Sequence, residues 1–126
     1  MDSRMDIFAL LGLRNGQAHI IRNAGGVVTD DVIRSLAISQ RKLGTREIIV
    51  IHHTECGMLT FTDDEFREAL QRETGQKPPW SPESFNDLDS EVRNSLNRIR
   101  NSPFIVHKDV RGFVFDVDTG RLREVS

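Results

Sequence analysis

The chain has 126 residues, enough for one domain with a real core and no need of disulfides or a structural metal. It is 37% hydrophobic and 29% charged, with 9 Gly and only 4 Pro, which excludes a disordered tail, a collagen-like repeat and a coiled-coil rod. Lys+Arg 17 against Asp+Glu 19 give a net charge of -2, so no basic excess exists to hold a polyphosphate backbone, and nucleic acid is not an expected partner.

The single cysteine, Cys56, excludes an intrachain disulfide and fits a reduced compartment. Apolar runs such as Ile48 to Ile51 fall far short of the about 20 residues a membrane-spanning helix needs. Met1 to Asp6 also lacks the basic-then-apolar order of a signal peptide. The expectation is a single cytoplasmic domain with no membrane partner.

In chain order, Met5 to Leu11 predicts a short helix stopped by Gly12. Ala18 to Arg22 predicts a short strand running into Asn23-Ala24-Gly25-Gly26, where two glycines permit a tight turn. Thr29-Asp30-Asp31 caps a helix whose stripe is Val32, Ile33, Leu36, Ala37 and Leu43, closed by Gly44. Glu47 to His52 is the most strand-like segment; its unbroken apolar core predicts a parallel strand covered on both faces.

Thr62-Asp63-Asp64-Glu65 has the form of a capping box, so a helix burying Phe66, Ala69 and Leu70 should follow. Gly75 to Ser84, with three prolines and Trp80, predicts an irregular connection. Leu88, Val92, Leu96 and Ile99 then line one face of a helix over about Asn86 to Asn101. Phe113 to Val117 and Arg121 to Val125 flank Asp118-Thr119-Gly120 as a hairpin, its first strand expected at or near a sheet edge. Helices alternating with strands make the fold class α/β: a mostly parallel sheet flanked by helices, with a C-terminal β-hairpin.

In open α/β sheets, functional groups gather at the carboxyl ends of strands. His52-His53-Thr54-Glu55-Cys56-Gly57 follows the buried strand, and His53 with Cys56 could give one metal ion a nitrogen and a thiolate. Strand alternation sends His52 and His53 to opposite faces, so only one joins Cys56. Read alone, Cys56 is equally a buried core thiol. Asp2 is the candidate third ligand, with Arg4 beside it to keep it ionised; a helix cap on a frayed terminus is the plainer reading of Asp2-Ser3-Arg4. The Asn23 to Gly26 loop either offers backbone N–H groups to a small anion or is an ordinary turn. His19 and His107 read as incidental.

Taken together, Met1-Asp2-Ser3-Arg4-Met5, His19 to Gly26 and His52 to Met58 resemble the β-class carbonic anhydrases, in their compact bacterial and archaeal branch. The resemblance covers essentially the whole chain. It implies a zinc enzyme that interconverts carbon dioxide with bicarbonate and a proton. On that pattern His53 and Cys56 bind Zn2+, while Asp2 and Arg4 form the catalytic dyad that orients the attacking hydroxide. Asp2 is itself a possible zinc ligand, and Asn23, Ala24, Gly25, Gly26 and Gly57 border the substrate pocket. The family's first motif begins with a zinc-ligand cysteine immediately before the residue matching Met1, at the end of a central strand. The expectation is therefore an N-terminally incomplete domain whose activity is conditional on that segment. Hydrolysis of a related heterocumulene such as carbonyl sulfide is an alternative activity. A non-catalytic oligomerisation or anion-binding module on a decayed scaffold is another. Exposed sheet edges and the family pattern together predict a homodimer or larger homo-oligomer.

Overall fold

The apolar run Ile48 to Ile51 forms the expected strand, and the computed structural model, which describes residues 1–126, carries it one residue further: β1 spans Glu47–His53. β2, Asp109–Phe115, lies parallel to it with Ile48 opposite Val110 and His52 opposite Val114. β3, Leu122–Val125, returns antiparallel against β2 and completes a sheet in the order β1-β2-β3. The chain is thus α/β, with the C-terminal hairpin in place. Its first strand begins at Asp109, four residues before the expected Phe113, and lies in the middle of the sheet instead of near an edge. The alternation Asp109-Val110-Arg111-Gly112 carries the strand signal, because Val110, Gly112 and Val114 point inward and their neighbours outward.

Of the four helices, those over Asp30–Leu43 and Leu88–Asn101 pack against the core face of this sheet. α1 spans Ile7–Leu11, capped by the Asp6 side chain and ended by Gly12 in the left-handed region. α2, Asp30–Leu43, is capped by Thr29, whose hydroxyl accepts from the Val32 N–H. α3, Asp63–Thr74, begins on the Thr62/Glu65 capping box with both reciprocal bonds made. α4, Leu88–Asn101, buries Val92, Ser95, Leu96 and Ile99. These meet Ile48, Val50, Val110, Val114 and Val125 in one aliphatic core, against which Val32, Ile33, Leu36 and Ala37 of α2 also pack. Gly112 is where α4 comes closest to the sheet. A Cβ there would collide with Val92 Cγ1 and stand 3.1 Å from Leu96 Cδ1, so no side chain fits.

Four expectations need correction. Ala18 to Arg22 forms no strand; the segment is exposed and has no ladder partner, because β1 pairs only with β2. Strand preference without a neighbouring strand does not make a strand. Second, β1 is covered on one face only: Ile49 is 50% exposed and Ile51 half-buried on the other. Third, α3 buries none of its residues, and Phe66 instead stacks against Phe61 and Trp80 at centroid distances of 5.2 and 6.5 Å. Fourth, Leu43 at the end of α2 lies outside the core, 63% exposed.

Candidate functional site

The carboxyl end of β1 organises the site. Because the strand continues through His53, its two histidines face opposite ways, as alternation requires. His53 is 8% exposed, and its Nδ1 lies 2.7 Å from the Thr54 carbonyl oxygen. A carbonyl can only accept, so Nδ1 carries a proton, and in the neutral ring Nε2 is then the nitrogen with the lone pair. That Nε2 faces Asp2, 3.6 Å from Oδ2.

Asp2 is held by three hydrogen bonds from one residue. Arg4 Nε donates to Oδ1 at 2.9 Å, Arg4 Nη2 to Oδ2 at 2.8 Å, and the Arg4 backbone N–H to Oδ1 at 2.8 Å. The Arg4 side chain and then its backbone N–H hold the Asp2 carboxyl far below the usual carboxylate range, so Asp2 is an anion throughout the neutral range. The remaining reach of Arg4 goes to the loop after β1. Nη2 also donates to the Glu55 carbonyl oxygen at 3.1 Å, and Nη1 to Glu55 Oε2 at 3.4 Å. Glu55 adopts φ 52°, a left-handed conformation that costs a non-glycine residue about 1 kcal/mol or more. The bond to Arg4 offsets part of that cost.

Cys56 follows Glu55 as a free, buried thiol and leads into a 3₁₀ turn over Gly57–Leu59. Beside it, the Met1 nitrogen donates to the Asn23 carbonyl oxygen at 2.6 Å. The Asn23 side-chain amide bonds the Val27 carbonyl at 2.9 Å, which closes the turn. Within it Gly25 and Gly26 have φ of 78° and 67°. The turn is wedged in place: a Cβ on Gly25 would stand 2.8 Å from Met58 Cγ, and one on Gly26 3.1 Å from the Ile51 carbonyl oxygen. Ala24 is exposed, and Gly57, also exposed, borders open space.

Asp2, Arg4 and His53 therefore come together, with Cys56 three residues beyond His53. No three of the His, Cys, Asp and Glu side chains stand close enough to hold a metal ion as a set. Two residues quoted in the motifs but given no role now have one. Arg22 donates from Nη1 to the Met5 carbonyl at 3.0 Å and from Nη2 to the Asp2 carbonyl at 2.5 Å, gripping both ends of the turn that carries the dyad. Glu55 is the second. Only the adjacency of Arg22 to the Asn23 loop hinted at its position, since a bond to a backbone carbonyl leaves no trace in residue type.

The α/β sheet with this constellation at its strand ends defines a class. A carbonic anhydrase family model matches residues 1–122. The "Beta-carbonic anhydrase 1" proteins of Mycobacterium tuberculosis and Mycobacterium bovis are 65% identical over the whole chain, which spans 78% of their length. A carbonic anhydrase structure from Streptococcus mutans superposes with a TM-score of 0.95 at 50% identity, covering 100% of this chain and 77% of that one. A carbon disulfide hydrolase of Acidithiobacillus thiooxidans is 35% identical over 98% of this chain and 72% of its own. The chain belongs to the β-carbonic anhydrase family.

Proposed function

We propose that this site catalyses the reversible hydration of carbon dioxide to bicarbonate and a proton. The observation that carries the reading is the ionised Asp2, clamped by Arg4 and placed 3.6 Å from Nε2 of His53. Membership of the family supports the same activity.

The residues suit zinc in their donor chemistry. His53 offers Nε2, its other nitrogen fixed by the Thr54 carbonyl, and Cys56 offers a soft sulfur out of bulk water. Zinc, when bound, supplies Lewis acidity that brings the pKa of water towards neutrality. Asp2 is the third donor the sequence suggests, but it does not stand with His53 and Cys56 as a set, and as a hard carboxylate already bonded twice to the Arg4 guanidinium it is the weaker one. Its role here is to accept a hydrogen bond from the attacking oxygen and orient it. Arg4 keeps Asp2 charged for that task, and the Asn23 to Gly26 turn with Gly57 forms the pocket wall.

The test pairs zinc analysis with stopped-flow carbon dioxide hydration, on the 126-residue chain and on a version with a cysteine placed immediately before Met1. Higher zinc content and faster hydration in the second, both abolished by Cys56→Ser, are the expected results. Zinc content insensitive to Cys56→Ser would overturn the ligand assignment. A second reading, hydrolysis of carbon disulfide or carbonyl sulfide, is favoured by the relatives named carbon disulfide hydrolase and by a solved structure of that name, which superposes with a TM-score of 0.88 at 36% identity. Sulfide release in the same preparation distinguishes the two.

The partner in assembly is a second copy of the chain. Ile49, half exposed on the open sheet face, and the unpaired edge of β1 support self-association.

A further inference from the structure

His52 points away from Asp2, into the core between β1 and α4. It is 1% exposed, as is Ser95 of α4, and its Nε2 stands 3.3 Å from Ser95 Oγ. The core around this pair is aliphatic, built from Val28, Val50, Val92, Leu96 and their neighbours. An aliphatic side chain would fill the space without removing a polar ring from water. The ring therefore has a further consequence, and its other edge shows it. His52 Cε1 and Nδ1 lie 3.7 and 3.8 Å from where a Cβ on Gly26 would be, directly beneath the left-handed turn. Nδ1 makes no hydrogen bond of good geometry, so the ring is held at the Ser95 end and abuts the turn at the other. Phe85 closes the third side, edge-on to His52 at 5.6 Å and 81°, and packs 3.3 Å from the Cβ position of Gly25.

We infer that His52 is a positioning residue, acting with Ser95 as a buried strut between α4 and the Gly25–Gly26 turn. The strut fixes the height of that turn above the strand end from which His53 projects on the opposite face. The turn's conformation is available to glycine at little steric cost but is not enforced by it, because glycine also populates many other states. Rigidity must come from what the turn rests on, and His52 is the group beneath it. The link to catalysis rests on the reading of Asn23 to Gly26 as pocket wall; the link to the turn does not.

Ser95→Ala removes the bond while suiting the helix, and His52→Phe keeps a ring of similar shape without the polar partner. Backbone 15N relaxation reads the turn directly. In the parent protein the Gly25 and Gly26 amides should show order parameters near the rigid value of about 0.85. In Ser95→Ala they should fall towards about 0.6, with Val114 in the sheet unchanged. The double variant should be no looser than either single one, since both cut the same link. If the carbon dioxide reading holds, KM should rise roughly tenfold or less with little change in kcat and none in zinc content. Gly25 and Gly26 remaining rigid in a folded Ser95→Ala protein overturns the inference whatever the activity. Additive effects in the double variant overturn it too. Should His52→Phe fail to fold, Ser95→Ala decides alone.

Discussion

Asp2 Oδ2 stands 3.6 Å from His53 Nε2, and the same oxygen takes a 2.8 Å hydrogen bond from Arg4. One carboxylate thus links the chain's first motif to the end of β1. Asp2→Asn keeps the shape and removes the charge. Arg4 would keep its bonds to the amide oxygen and to Glu55 but lose the one to the former Oδ2, and the group facing His53 would no longer be an anion. The expected outcome is unchanged zinc content with hydration slowed about ten- to a hundredfold. Metal analysis beside stopped-flow rates checks it, and equal turnover in the two proteins would count against the dyad.

Arg22 supports that dyad from behind, through the Asp2 and Met5 carbonyls. Arg22→Gln loses the fork that reaches both, while Arg22→Lys can satisfy one. Turnover should fall in the order parent, Lys, Gln, with zinc content constant. Loss of zinc in step with turnover would show that the site has collapsed and that the clamp is not specific to the dyad.

Much of this site was legible from residue order. His52 and His53 separate by strand alternation, the Thr62/Glu65 capping box starts α3, and Asp2 with Arg4 reads as a charge-assisted pair. What escaped was whatever depends on neighbours. Ala18 to Arg22 has the composition of a strand, but composition does not supply the strand beside it. Ile48 to Ile51 reads as apolar on both faces, yet whether the Ile49 face is covered is a property of the assembly, not of the segment. The role of Ser95 is invisible in sequence because a small polar residue in an amphipathic helix looks like a surface one until its partner across the core is known.

That open face gives a test of assembly. Ile49 sits opposite Arg111 in the β1–β2 register, and Arg111 in turn lies over the Phe113 ring at 5.2 Å. Ile49→Lys places a charge in the middle of this surface without touching the core on the other side. Light scattering at tens of micromolar, roughly the range that reveals weak dimers, should show the parent as an oligomer and the variant as a smaller species. Far-UV circular dichroism should be unchanged. Identical masses would place the interface elsewhere.

The chain's single tryptophan reports on a different region. Trp80 lies against Phe66 of α3, in a connection tied to the start of that helix by Asp63. Burial alone would raise the Asp63 pKa, but hydrogen bonds outweigh it: Ser84 donates from its backbone N–H at 2.7 Å and its hydroxyl at 2.6 Å, and Ser81 from its hydroxyl at 3.1 Å. The net shift is downward from 3.8, so the folded state binds fewer protons here than the unfolded one. The tether is therefore fully present above that value and is lost as pH falls through the lower, folded pKa. Acidification through that window should release the Ser81 to Ser84 segment, raising the quenching of Trp80 by iodide before far-UV circular dichroism changes. Asp63→Asn should show raised quenching already at neutral pH and little further change in acid. Trp80 quenching that moves only together with global unfolding, in parent and variant alike, would mean that Asp63 does not hold this connection.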